Sequence, residues 1–253
     1  MGLPFTMTIT VITICRNSAQ TLQRTIDSIL LQQLKPQQYL LVDGASTDNT
    51  LNILQQNLPL LQSAGISAKI LPQAPLQADE AGIPVAWNQG LQQADGDIIA
   101  LLNSDDWYEP QTLAKILQAF TENPETEAVV CPVRLLHPAG GEKLLLPRCL
   151  YLLPLLMPLP HPGCFFRRSL YDRIGHYDTH YRIAADYDFI WRCRQAETLW
   201  RTLAEPLVNM EAGGLANSSR KKARLETLTI ARNYIPWCPL PYLAYLLRQL
   251  TGR

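Results

Sequence analysis

Two adjacent carboxylates, Asp105 and Asp106, stand in the run Asn103-Ser104-Asp105-Asp106, directly after the apolar stretch DIIALL at 97–102. Neighbouring carboxylates repel each other and need a compensating positive charge. Hard oxygen donors of this kind suit Mg²⁺ or Mn²⁺, which take one or two carboxylates together with substrate phosphates. The same residues could instead make a solvated turn that caps the next helix; the strand-end position and Trp107-Tyr108 immediately after favour a site. As a strand-end group, Asp106 is expected at the surface with little core packing. Asp43 ends the run QYLLVD and could accept hydrogen bonds from a nucleobase or ribose, or close an Asx-turn. Arg16 and Asn17 follow the β-branched run at 8–14 and could lie near a diphosphate or in an ordinary loop. Asp186 and Asp188 open the helical stretch ADYDFIWRCRQA. Positions two apart do not share a helix face, so at most one enters a cleft and the other serves the helix dipole. A single carboxylate beside a metal–diphosphate site is what a general base needs. His161, between Pro160 and Pro162, sits in an extended segment, either positioned for a ligand or structural.

These residues need a frame that gathers distant segments. Residues 8–14 (TITVITI) read as a strand. Ser18 can cap a helix with the stripe Leu22, Ile26, Ile29 and Leu30. Residues 38–43 read as a second strand. GASTDNT is turn chemistry, with Asp48 placed to cap a helix through Leu51 and Leu54. A weak third strand lies at 68–71 and a helix around 85–93. Residues 97–102 are near-continuously apolar, as in the middle of a parallel sheet. Pro110 suits the first position of a helix bearing Leu113, Ile116, Leu117 and Phe120, and 129–133 is one more strand. This alternation predicts an α/β fold: a mostly parallel sheet with helices on both faces and ligands beyond the carboxyl ends of its strands. The second half is less regular. Residues 144–166 are Leu- and Pro-rich and read as irregular and partly extended, LWRTLA and PLVNM as short strands, GGLANSS as a loop.

Composition bounds the function. The chain has 253 residues, enough for one α/β domain or two small ones, and 47% hydrophobic residues exclude wholesale disorder. Lys+Arg and Asp+Glu are both 22, so there is no basic excess for nucleic acid. Cys15, Cys131, Cys149, Cys164, Cys193 and Cys238 form no CxxC pair and read as buried thiols in a reducing compartment. MGLPFTMTIT lacks the basic and long apolar segments of a secretory signal, so a cytoplasmic protein is expected. Residues 217–253 hold seven Lys/Arg and one Glu. The apolar stretch 235–247 is broken by Pro236, Pro239 and Pro241 and closed by Arg248, which disfavours a span. Arg220, Lys221, Lys222 and Arg224, with Trp237, Tyr242, Leu243, Tyr245, Leu246 and Leu247, could rest peripherally on an anionic membrane face. The tail could equally pack on the rest of the chain or form a homodimer contact.

The segments TVITICRNSAQTLQRTIDSIL, LLVDGASTDNT, NQGLQQADGDIIALLNSDDWYEP and IAADYDFIWR with GGLANSS occur in the order found in family 2 glycosyltransferases. Over roughly residues 7–219 the chain resembles the short bacterial members that build polysaccharides. The resemblance implies a GT-A domain over 1–216, with a nucleotide-sugar half at about 1–133, an acceptor half at about 134–216, and a helical tail at 217–253. It implies inverting, metal-dependent transfer of a single sugar from a nucleotide-sugar, a UDP-sugar favoured, to a glycan or lipid-linked acceptor, with Mn²⁺ or Mg²⁺. It assigns Asp43 to the base, Asp79 to the nucleotide side of the cleft, Asp105 to ribose or sugar, Asp106 to the metal and Asp186 to proton abstraction. Thr13, Arg16 and Asn17 join the donor side; His161, Trp107 and Asp188 are acceptor-side candidates. Ala185 stands where the family usually has Glu, Cys15-Arg16 replaces a common Tyr, and the processive QxxRW motif is missing. Two competitors remain. A sugar-phosphate nucleotidyltransferase would open with a Gly-rich loop, but ICRNSAQTL has no glycine. A non-catalytic relative binding a partner or glycan would be favoured by loss of Asp106 or Asp186, and both are present.

Overall fold

The computed structural model describes residues 7–77, 82–137, 139–212 and 220–251. The β-branched run forms β1 (Ile9–Cys15), paired in parallel with β2 (Gln38–Asp43) and β4 (Ile98–Leu101). β3 (Ser67–Pro72) adds to β2 as an edge strand. Helix α1 (Leu22–Leu30) buries Leu22, Ile26 and Ile29; its first turn starts one residue after Thr21 rather than at Ser18, whose carbonyl accepts the amides of Thr21 and Leu22. Asp48 accepts the amide of Thr50, the first residue of α2 (Thr50–Ser63). Helix α3 (Gly82–Gln92) lies so close to β1 that a Cβ on Gly90 would come within 2.5 Å of the Ile12 side chain. Helix α4 (Thr112–Glu122) begins two residues after Pro110, which therefore precedes the helix.

The main departure from the sequence reading lies in the second half. β5 (Trp107–Tyr108), β6 (Ala128–Val130), β7 (Val133–Leu136) and β8 (Glu142–Leu145) are followed by β9 (Cys164–Arg167). β9, at the end of the stretch whose sequence predicts irregular structure, runs antiparallel between β4 and β6 in the interior of the sheet. Its four residues CFFR carry too short a pattern to register as a strand. β10 (Trp200–Thr202) closes the order β10-β6-β9-β4-β1-β2-β3, and β11 (Val208–Glu211) joins a second sheet ordered β5-β11-β7-β8. One apolar core fills each face of the large sheet. Ile12, Leu40, Ile99 and Phe166 face α3, α5 (Arg168–Ile174) and α6 (Ala185–Gln195); Val11, Leu41, Ile98 and Phe165 face α1, α2 and α4.

Helix α7 (Arg220–Tyr234) packs on α6, with Ile230 and Ala231 buried and Tyr234 stacked on Trp191 at 5.2 Å. Helix α8 (Leu240–Thr251) folds back on α7. No helix among the described residues is long and apolar enough to cross a membrane. Cys15, Cys131, Cys164 and Cys193 are buried thiols as expected; Cys149 is exposed and Cys238 half-buried.

Candidate active site

The carboxyl ends of β1, β2 and β4 lie side by side, because Cys15 pairs with Asp43 and Ile12 with Leu101. The loops beyond them are tied together. Ser18 and Ser104 share a hydrogen bond of 2.8 Å between their hydroxyls, and Asn17 Oδ1 accepts the amide of Thr47 at 2.8 Å. Asn17 has φ +52°, a left-handed conformation that Asn tolerates better than most side chains. Arg16 is exposed beside it. Asp43 is buried, with Oδ1 accepting the Ser46 hydroxyl at 2.6 Å and Oδ2 the Ser46 amide at 3.2 Å, so its carboxylate closes the turn after β2. Thr13 is fully buried and its hydroxyl bonds Tyr39 at 3.0 Å, so its side chain braces β1 on β2. Asp79 lies outside the described residues.

Asp106 is corrected in one respect. It is 1% exposed, not a surface group. Its backbone carbonyl accepts the Thr25 hydroxyl at 2.8 Å, drawing the turn onto α1. Oδ2 accepts the Asn103 amide at 3.1 Å, while Oδ1 is buried without a partner. Burial, then the Asp105 charge, raises its pKa well above the carboxylate range, against the Asn103 hydrogen bond and Arg24. Asp105 is half-buried; burial and the Glu211 charge raise its pKa too, against its own backbone amide and Arg24. Arg24 donates to the Asp105 carbonyl at 3.2 Å, pairs with Glu211, and lies 3.7 Å over the Trp107 ring. That face of Trp107 is therefore covered by a guanidinium.

This arrangement fits a divalent cation. An orphaned buried oxygen next to a second carboxylate of raised pKa is what a metal relieves. Among the described residues no three His, Cys, Asp or Glu side chains form a metal-binding group. The chain would thus supply one or two ligands, and substrate phosphates the remainder.

Asp186 approaches from α6. Its Oδ1 accepts the amide of Tyr187 at 2.7 Å. Burial pushes its pKa up to about 6, opposed by backbone amides and assisted by the charge of Glu226. Its charge is felt at Cys164 and Tyr177. Cys164 opens β9, and the pairing of Ala100 with Phe165 sets it level with the carboxyl end of β4. Asp186 thus lies within electrostatic reach of the β9 residue that pairs level with the carboxyl end of β4. Asp188, in contrast, is committed: Arg192 Nε donates to it at 2.9 Å and the Tyr234 hydroxyl at 2.9 Å. Through these partners it ties α6 to α7. His161 is buried, bonded through Nε2 to the Tyr177 hydroxyl at 3.0 Å and packed 5.2 Å from Trp87; burial lowers its pKa to about 4. At neutral pH it is an uncharged ring held between Trp87 and Tyr177.

Some participants escaped the sequence reading. Arg24 and Glu211 come from an exposed helix face and a strand end that carry no pattern. Glu226 accepts the amides of Arg182, Ile183 and Ala184 just ahead of α6, at 3.2, 2.8 and 3.0 Å. Its signal was available: it is the lone acid in a basic tail.

Comparison with known proteins decides the family. The model of glycosyl transferase family 2 matches residues 10–175. The chain belongs to that family. This glycosyltransferase is 31% identical, over 85% of its length and 81% of the relative's, to a PGL/p-HBAD biosynthesis glycosyltransferase of Mycobacterium bovis. Its fold is similar to that of the mannosyltransferase PcManGT from Pyrobaculum calidifontis, solved with GDP-Man and Mn²⁺, at TM-score 0.69 and 18% identity over 96% of this chain and 70% of that one. It is also similar to S. aureus TarS 1-349 solved with UDP-GlcNAc, at TM-score 0.67 and 19% identity over 90% and 67%. Family membership removes the nucleotidyltransferase as a competitor.

Proposed function

We propose that this glycosyltransferase moves a single sugar, with inversion, from a nucleotide-sugar to a glycan or lipid-linked acceptor at the cytoplasmic face of a membrane. One observation carries the reading: beyond the carboxyl end of β4, Asp106 holds a buried oxygen with no partner beside the Asp105 carboxylate, and a separate carboxylate of raised pKa, Asp186, opens α6. The structural neighbours solved with UDP-GlcNAc and with GDP-Man and Mn²⁺ support a nucleotide-sugar donor. Domain limits of 1–216 and 217–253 go with this reading.

In the proposed reaction the acceptor hydroxyl gives its proton to an Asp186 oxygen while its oxygen forms a bond to the anomeric carbon. The bond from that carbon to the diphosphate breaks on the opposite side, so the configuration inverts. A base with a pKa of about 6 is mostly ionised at neutral pH yet more basic than an ordinary Asp. Mn²⁺ or Mg²⁺, held at Asp106 with Asp105 beside it, would supply electrostatic stabilisation of the charge on the leaving diphosphate. Arg16 and Asn17, at the exposed end of β1, would orient the donor, with Asp43 shaping the turn beneath it. The acceptor is held by groups around α6, and positioning of the two substrates supplies much of the rate.

The test is direct. The protein is incubated with UDP-Glc, UDP-GlcNAc and GDP-Man, with Mn²⁺ or with EDTA, and release of nucleoside diphosphate is measured. Release from at least one donor, abolished by EDTA, is expected. No release from any donor, or undiminished release in EDTA, would overturn the reading.

A further inference from the structure

We propose that the outward face of α8, with the basic residues of α7 around it, docks flat on an anionic lipid bilayer. This deepens the reading above, on which it rests for the use of a membrane-borne acceptor; the surface itself rests on geometry.

An amphipathic helix on a water-soluble protein turns its apolar stripe inward. α8 does the reverse. Pro241 and Ala244 face α7, and Arg248 is turned inward to donate to the Leu155 carbonyl. Tyr242, Leu243, Leu246, Leu247 and Leu250 face solvent, and Trp237, at the turn into the helix, is 96% exposed. Leu250 is 84% exposed. Isolated exposed leucines are unremarkable, but a contiguous apolar face marks an interaction surface.

Charge identifies the occupant. Residues 220–251 contain six Arg/Lys and one acid, Glu226. That acid is turned inward onto the amides ahead of α6, so the hairpin shows solvent only positive charge. The two helices run antiparallel. Arg224 reaches Gln249 near the end of α8, and Arg232 lies over Tyr242 near its start. Cations therefore flank both ends of the apolar face. Anionic headgroups complement this rim, and Trp and Tyr suit the interfacial depth. A second copy is disfavoured, because a two-fold contact would set the basic rim against itself. A helix of 12 residues is about 18 Å long, far short of a bilayer core of ~30 Å, so it lies in the plane. Because Glu226 of α7 holds the amides of residues 182–184 just ahead of α6, docking would hold Asp186 at a fixed height above the lipid surface.

Flotation of the full chain with phosphatidylglycerol/phosphatidylcholine vesicles at low salt tests this without donor or acceptor. The protein should float with anionic vesicles, at least tenfold less with pure phosphatidylcholine, and be released by high salt. Leu243→Glu/Leu247→Glu, on the solvent side, should abolish flotation while retaining the wild-type melting curve. Asp186→Asn should float like wild type, so failure of the catalytic reading and failure of docking remain distinguishable. Absence of flotation with anionic vesicles would overturn the proposal. So would flotation indifferent to lipid charge, or a solution dimer that the double variant converts to monomer.

Discussion

Replacing Asp186 by Asn should make the enzyme more stable and nearly inactive. The isosteric amide keeps an Oδ1 acceptor for the Tyr187 amide at the start of α6 but removes the half-buried charge. A rise from 3.8 to about 6 means that ionising this carboxylate costs the fold on the order of 3 kcal/mol relative to the unfolded chain. The folded state holds the proton more tightly. The group's stabilising contribution is therefore complete below about pH 4 and lost as pH rises through about 6. Asp186→Asn should melt ~5–10 °C above wild type at pH 8, and the two should converge at pH 4. Transfer should fall by ~10²–10⁴-fold with nucleotide binding intact. The wild-type rate should also fall about tenfold per pH unit below 6, as the base becomes protonated. Paired calorimetry and turnover measurements at several pH values check all of this. A variant that melts lower at pH 8, a stability gain unchanged at pH 4, or turnover within a few-fold of wild type would refute the reasoning.

Three further outcomes follow from the geometry. Asp106→Ala removes an unsatisfied buried oxygen, so the fold should be retained while the thermal shift with Mn²⁺ and nucleoside diphosphate disappears; at 100-fold excess over Kd that shift is worth ~2.7 kcal/mol in the parent. Glu226→Gln weakens the clamp on residues 182–184 and removes a like charge near Asp186, so the acid limb of the pH–rate profile should move to lower pH, readable by assay from pH 5 to 8. Tyr234→Phe deletes a hydrogen bond to the Asp188 carboxylate and should lower the unfolding free energy in urea by about 1.5–3 kcal/mol with the Trp191 stack preserved.

Legibility in the sequence followed the length of each pattern. β1, β2 and β4 are runs of β-branched and apolar residues, and α1 repeats its buried positions at helical spacing, so the parallel half of the fold could be read directly. β9 could not, because four residues between a Pro-rich segment and α5 carry no period, and only its partners on either side make it a strand. The site divides in the same way. Asp105 and Asp106 are adjacent in the chain, but the burial of Asp106 comes from α1, through Thr25, which no local pattern announces. The spacing rule separated Asp186 from Asp188, and the partners Arg192 and Tyr234 make that difference physical. For Thr13 and His161 the sequence could not supply the side-chain partners, because polar side chains within apolar surroundings look alike whatever they face; Tyr39 and Tyr177 come into contact with them only in three dimensions.

The interior position of β9 has a consequence for the order of synthesis. Its neighbours β4 and β6 are complete by residue 130, whereas β9 ends at residue 167. At ~5–20 residues per second, a nascent chain carries these strands for about 2–7 s before the strand that joins them exists. During that interval β4 presents an unpaired backbone edge and β6 has no place in the large sheet. Closing the gap requires a long-range antiparallel insertion, a step that topology makes slow. Polypeptides stalled or cut between residues 131 and 163 should therefore be aggregation-prone and dependent on chaperones, although every residue of the Asp105–Asp106 pair is already in the chain.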